Sequence, residues 1–222
     1  MHALYIIEIA LVVAILYNAI VVFFQKLGKD GSHLSLIHVL FLRLIGSFLF
    51  ILASYLLIVI TDYDFHNTVE IFWSSLFIIL FIPAIISVNA ALSKKPAHNE
   101  KYPQLNTKRW GWGIVLINAL SWAVYLFSYE LFFRGILLFC SIHVLGITLA
   151  IVFNAIVYSM AHLSKGKFEA IGSIPLGVVF CIMAYLSGSF LVVWMLHMVM
   201  AISNDLFCIY NSSEKYYQLK RR

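Results

Sequence analysis

The chain reads as an all-α, multi-pass transmembrane helical bundle of about seven spans, with the N-terminus outside and the C-terminus in the cytoplasm. Three observations predict this. Of 222 residues, 63% are hydrophobic and 11% are charged, against roughly 45–50% and about 25% in a soluble domain. The apolar residues form runs long enough for helices of about 20 residues, the length that crosses the hydrocarbon of a bilayer. Thirteen of the 15 Lys and Arg lie in alternate loops, the asymmetry that orients membrane helices. The lipid bilayer is thus the first partner implied, and a multi-pass protein of the cell membrane the expected location. The net charge of +5 belongs to those loops and implies no nucleic-acid partner.

The apolar runs place spans near 3–24, 37–60, 70–92, 111–139, 144–162, 171–187 and 189–210. The first has no basic residue before it and runs too long for the apolar part of a signal peptide, so it reads as a retained span. The fourth run is longer than one span needs, which suggests an interfacial piece around Trp110–Gly113 followed by a tilted helix. Lys26 and Lys29 follow the first span. Lys94, Lys95, Lys101, Lys108 and Arg109 follow the third, Lys165 and Lys167 the fifth, and Lys215, Lys220, Arg221 and Arg222 form the tail. The intervening loops carry no Lys or Arg. The linker Ser93–Arg109, with Pro96 and Pro103, divides the single membrane domain 1–222 into three N-terminal spans (1–93) and a second part (110–210). Glu8 and Arg43 lie within about two turns of a span end, where a long side chain can snorkel to water. Pro175 is placed to kink the sixth span, and Gly172 and Gly177 to let helices approach closely. Cys140, Cys181 and Cys208 are odd in number and lie in apolar runs, the pattern of small hydrophobes rather than of a disulfide framework.

Four residues in the second part carry the candidate chemistry. Glu130 and Arg134 stand four apart inside an apolar run, so on a helix they share a face, with the acid on the favourable N-terminal side. Ionisable groups at membrane depth are expensive and mark functional sites. His162 ends the fifth span, with Tyr158 four residues before it on the same face, and His197 lies inside the last span. A carboxylate and two imidazoles on separate helices suit a buried hydrolytic site. The acid would draw a proton from water and the imidazoles would bind water or the oxyanion. Secondary candidates are Asn154, two turns before His162; Glu169, otherwise a favourable charge at a helix N-terminus; and Asp205, two turns beyond His197 or else solvated at the cytoplasmic end. The metal-free arrangement is favoured. A zinc site would instead use Glu130, His162 and His197 as two His and one carboxylate with an open position. A proton-coupled transporter would call for paired broken helices or internal repeats, and the sequence shows none.

Glu130-x-x-x-Arg134, then Tyr158-x-x-x-His162, then His197 resemble in order and spacing the three motifs of the CAAX-endopeptidase and bacteriocin-processing (CPBP, or ABI) intramembrane proteases. That family's pattern is Glu-Glu-x-x-x-Arg, Phe-x-x-x-His and His-x-x-x-Asn. The run from His162 through Glu169 and Gly177 resembles the family's continuation. The resemblance covers about residues 110–210 and implies a helical core around a wet cavity open to the cytoplasm. It also implies an endopeptidase acting on membrane-associated, prenylated or leader peptides. Three positions depart: Tyr129 stands where the family has its first Glu, Tyr158 where it has Phe, and Ala201 where it has Asn. They keep open a second reading, a catalytically impaired member that binds membrane peptides or a partner.

Overall fold

The computed structural model describes residues 2–27, 34–99, 101–105, 107, 109–212 and 216–217. Helices α1 (His2–Leu27), α2 (Leu36–Thr61) and α3 (Ile71–Leu92) come first, then a one-turn helix α4 (Pro96–Asn99). Next are α5 (Trp112–Glu130), a π-helical segment (Leu131–Leu137) and α6 (Leu138–Leu145), which run without a break. Helix α7 (Ile147–Met160) leads through a short 3-10 turn (Leu163–Lys165) to α8 (Lys167–Ser187) and α9 (Phe190–Asn211). The only paired strands among the described residues are two residues each. In them β1 (Arg109–Trp110) runs parallel to β2 (Tyr216–Tyr217), in register Arg109 with Tyr216.

Among the described residues, six helices are long and apolar enough to cross a membrane, with α5 to α6 counted as one of 34 residues, and α7 is apolar but shorter. The molecule is a multi-pass helical membrane protein. Large apolar side chains point away from the bundle, such as Phe48 at 68% and Phe72 at 69% exposure. In water such a surface would be a liability; against lipid tails it is the natural one. The strand residues Arg109–Trp110 precede a helix that runs from Trp112 without a break, through the π-helical segment, and ends at Gly146. Gly146 takes φ +77°, open to glycine and strained for a residue with a Cβ. Of the charges behind the expected orientation, Lys29, Lys108, Lys215, Lys220, Arg221 and Arg222 lie outside the described residues.

The core draws on both parts of the chain. Tyr17 of α1 and Phe50 of α2 pack with Tyr125, Tyr129, Phe132 and Phe133 of the central helix. Gly177 of α8 comes so close to α7 that a Cβ would lie 3.2 Å from the Tyr158 ring and 3.4 Å from Ala155, as its expected role requires. At Gly172 a Cβ would meet nothing, and the residue borders a cavity instead. The three cysteines are buried and free. Glu8 is exposed, but Arg43 does not snorkel. It is 5% exposed and turned inward, its guanidinium 3.9 Å over the Trp122 ring and its Nη1 3.0 Å from Asn118 Oδ1. Inside the bundle it finds acceptors and a π face, a better exchange for a cation than a long reach through hydrocarbon.

Candidate active site

Glu130 closes α5 and Arg134 sits in the π segment that follows. There the Leu138 N–H bonds to the Phe133 carbonyl, five residues back. The same carbonyl accepts from Asn154 Nδ2 at 2.7 Å, and Asn154 Oδ1 accepts from Cys181 Sγ at 3.2 Å. Single π turns are recurrent at functional sites, and here every residue from Phe132 to Leu137 is buried. Arg134 Nη1 lies 3.1 Å from Glu130 Oε2, with both side chains fully buried. The guanidinium stands 4.0 Å over the Tyr158 ring, with Phe133 and Phe180 each at 5.5 Å. Taking two charges out of water costs several kcal/mol per ion; here direct pairing and a box of π faces offset it.

The second Glu130 oxygen, Oε1, is 2.5 Å from His197 Nδ1 of α9. His162 follows α7, its Nδ1 bonded to the Tyr158 carbonyl at 2.9 Å. Both imidazoles meet the Tyr129 ring edge-on, with ring centres 6.3 Å (His162) and 6.0 Å (His197) away. Tyr129, Tyr158, His162 and His197 all border one cavity of about 800 Å³, whereas Glu130 and Arg134 do not line it. The acid is one hydrogen bond behind the wall. The cavity also reaches Tyr17 of α1 and Asn89 of α3, so the N-terminal helices help to build it.

The secondary candidates divide. Asn154 does not line the cavity; it holds the π segment to α7. Glu169 lies in the first turn of α8, as its helix-terminal reading requires, and also accepts from Tyr102 Oη at 3.0 Å at the cavity's edge. Asp205 borders the cavity at 3% exposure, so it is not solvated. It accepts from Asn118 Nδ2 and Trp122 Nε1, each at 2.9 Å. Sequence reasoning missed this group of Asn118, Trp122 and Arg43. Its available signal was Asn118 four residues before Trp122 in an apolar run. Also missed was the strap around α4, from which Lys95, His98 and Lys101 border the cavity. It is fastened by His98 Nε2 to Asn204 Oδ1 at 2.7 Å and by Tyr102 to Glu169. Lys165, on the opposite rim, is held in the turn after α7. Burial pushes its ammonium pKa down, and the nearby Glu169 partly opposes this.

The three residues of the zinc alternative are separately engaged: Glu130 with Arg134 and His197, and His162 with the Tyr158 carbonyl. One Glu130 oxygen faces His197 and the other Arg134, so each already has a partner within the protein. No group of three His, Cys, Asp or Glu among the described residues is placed to hold one.

Neither the curated proteins nor the solved structures include a match to this chain. A family profile does match: the type II CAAX prenyl endopeptidase Rce1-like profile, over residues 111–203. That segment is a little under half of the chain and contains Glu130, Arg134, His162 and His197. Over that segment this membrane protein is similar to the CAAX-type proteases of the CPBP family.

Proposed function

We propose that the chain is an intramembrane endopeptidase that hydrolyses peptide bonds in membrane-associated or prenylated peptides. Water would be activated at the cavity bordered by His162 and His197, with Glu130 and Arg134 behind. The observation that carries this reading is the fixed contact between a buried carboxylate and an imidazole on the cavity wall. Three helices remote in sequence supply the acid and the two histidines, and the family profile spans all of them. Lys95, Lys101 and Lys165 border the same cavity and come from two of the basic loops. With those loops in the cytoplasm, the cavity opens to that side, and a peptide tail enters from there.

The test uses purified protein in liposomes with a fluorogenic farnesylated peptide. Wild type should cleave it, and His162→Ala should lower kcat by about 10²-fold or more, the scale of one acid–base group. Equal rates in both would remove His162 from the site, and no cleavage by wild type across a panel of lipidated and leader peptides would end the protease reading. Tyr129 and Ala201 favour the second reading, capture of a peptide without cleavage. A photo-cross-linked peptide recovered intact from wild type, with labelling lost in His197→Ala, would establish it.

A further inference from the structure

Resting on the protease reading above, we infer that His197 is the general base of this site and that Glu130 is its positioning residue. The position occupied by Tyr129 then needs no acid. Glu130 has no exposed surface and does not border the cavity. Both of its oxygens are engaged, Oε2 by Arg134 and Oε1 by His197 Nδ1. A carboxylate so placed cannot touch a water molecule in the cavity, whereas the ring it holds borders that cavity. With the Nδ1 proton committed to Glu130, the lone pair of His197 is on Nε2, the nitrogen left for water. An acid fixing the tautomer and orientation of a histidine base is the logic of a hydrolytic triad, with water here as the nucleophile.

Tyr129 is not available for the task. Its hydroxyl is buried without a hydrogen-bond partner, and its ring, not its oxygen, meets the two imidazoles. His162 has its own Nδ1 on the Tyr158 carbonyl, with no acid behind it. Among the described residues, only His197 combines a cavity position with a carboxylate at its back.

The step balances as follows. His197 Nε2 takes a proton from water while the water oxygen bonds to the peptide carbonyl carbon, whose π electrons move to the carbonyl oxygen. Those electrons return as the C–N bond breaks, and the proton on Nε2 passes to the departing amine. Acid and amine products result, and the imidazole is neutral again.

The experiment compares wild type, His197→Ala and Glu130→Gln in liposomes with the same farnesylated peptide. A second readout is the proton NMR signal of the His197 Nδ1–H. His197→Ala leaves the Glu130–Arg134 pair in place, so the fold has its counter-ion. Its kcat should fall by about 10²- to 10⁴-fold and recover at least tenfold with added imidazole. Glu130→Gln should lower kcat with KM unchanged and move the Nδ1–H signal upfield. His197→Gln guards against a cavity artefact and should fail to respond to imidazole. Cleavage by His197→Ala within tenfold of wild type would overturn the assignment while leaving the protease reading intact. So would an unchanged Nδ1–H signal in Glu130→Gln. A wild type that cleaves nothing would overturn both.

Discussion

Lys165 shows what one residue in this cavity does to stability. Burial lowers its pKa from the ordinary lysine value near 10.5, and no ion pair or hydrogen bond to its ammonium is made among the described residues. The sign is that of a depressed pKa. Its favourable contribution is present above the unfolded value and is lost as pH falls through the folded one, so at neutral pH the charged lysine opposes folding. Lys165→Met should therefore raise the thermal midpoint at pH 7, by a margin that shrinks as pH approaches 10.5. A series of melts in detergent between pH 7 and 10.5 checks this, and an unchanged margin would locate the effect elsewhere. Single residues were legible in the sequence where a charge or imidazole interrupted an apolar run, as with Glu130, Arg134, His162 and His197. Arg43 and Asp205 interrupt such runs equally, but each takes its partners from another helix. Contacts of that kind leave no periodic trace in the chain, so the sequence suggests a snorkelling arginine, and leaves Asp205 open between the His197 face and a solvated end, where the structure has one buried group.

Helix limits were readable to within a few residues wherever an apolar run ended in glycine or charge, and α2, α3 and α9 follow them closely. The long run from 111 was not readable. Its π segment depends on a tertiary bond, Asn154 to the Phe133 carbonyl, and an i→i+5 turn has no composition of its own. Gly188, in the turn from α8 to α9, is a sharper test at this scale. It adopts φ +64°, and a Cβ there would come within 2.6 Å of the Thr68 carbonyl oxygen. Gly188→Ala should cost about 1–3 kcal/mol, read as a lower unfolding midpoint in a denaturing-detergent titration. A variant as stable as wild type would mean that the 62–70 loop yields freely. The neighbouring Glu70 N–H to Ser187 carbonyl bond, at 2.9 Å, argues that it does not.

Across the whole molecule, the class of fold was legible because hydrocarbon imposes its rule on every span: satisfy the backbone within the helix and keep charges out. What the chain does not advertise is how its helices differ in length. Helix α7 has 14 residues, roughly 21 Å at 1.5 Å per residue, against about 30 Å of hydrocarbon. The turn that follows it brings His162 to the Tyr129 ring that His197 also meets, and Lys165 of the same turn borders the same cavity.

A lipid leaflet bordering so short a column must dimple or let water follow. Hydrolysis should consequently answer to the acyl chains around the protein: liposomes of 14-carbon lipids should give faster cleavage than those of 22-carbon lipids at equal peptide loading, and a flat response would uncouple the two. The indentation would also bring the aqueous phase down to the scissile bond, sparing a greasy tail the need to leave its own solvent in order to be cut.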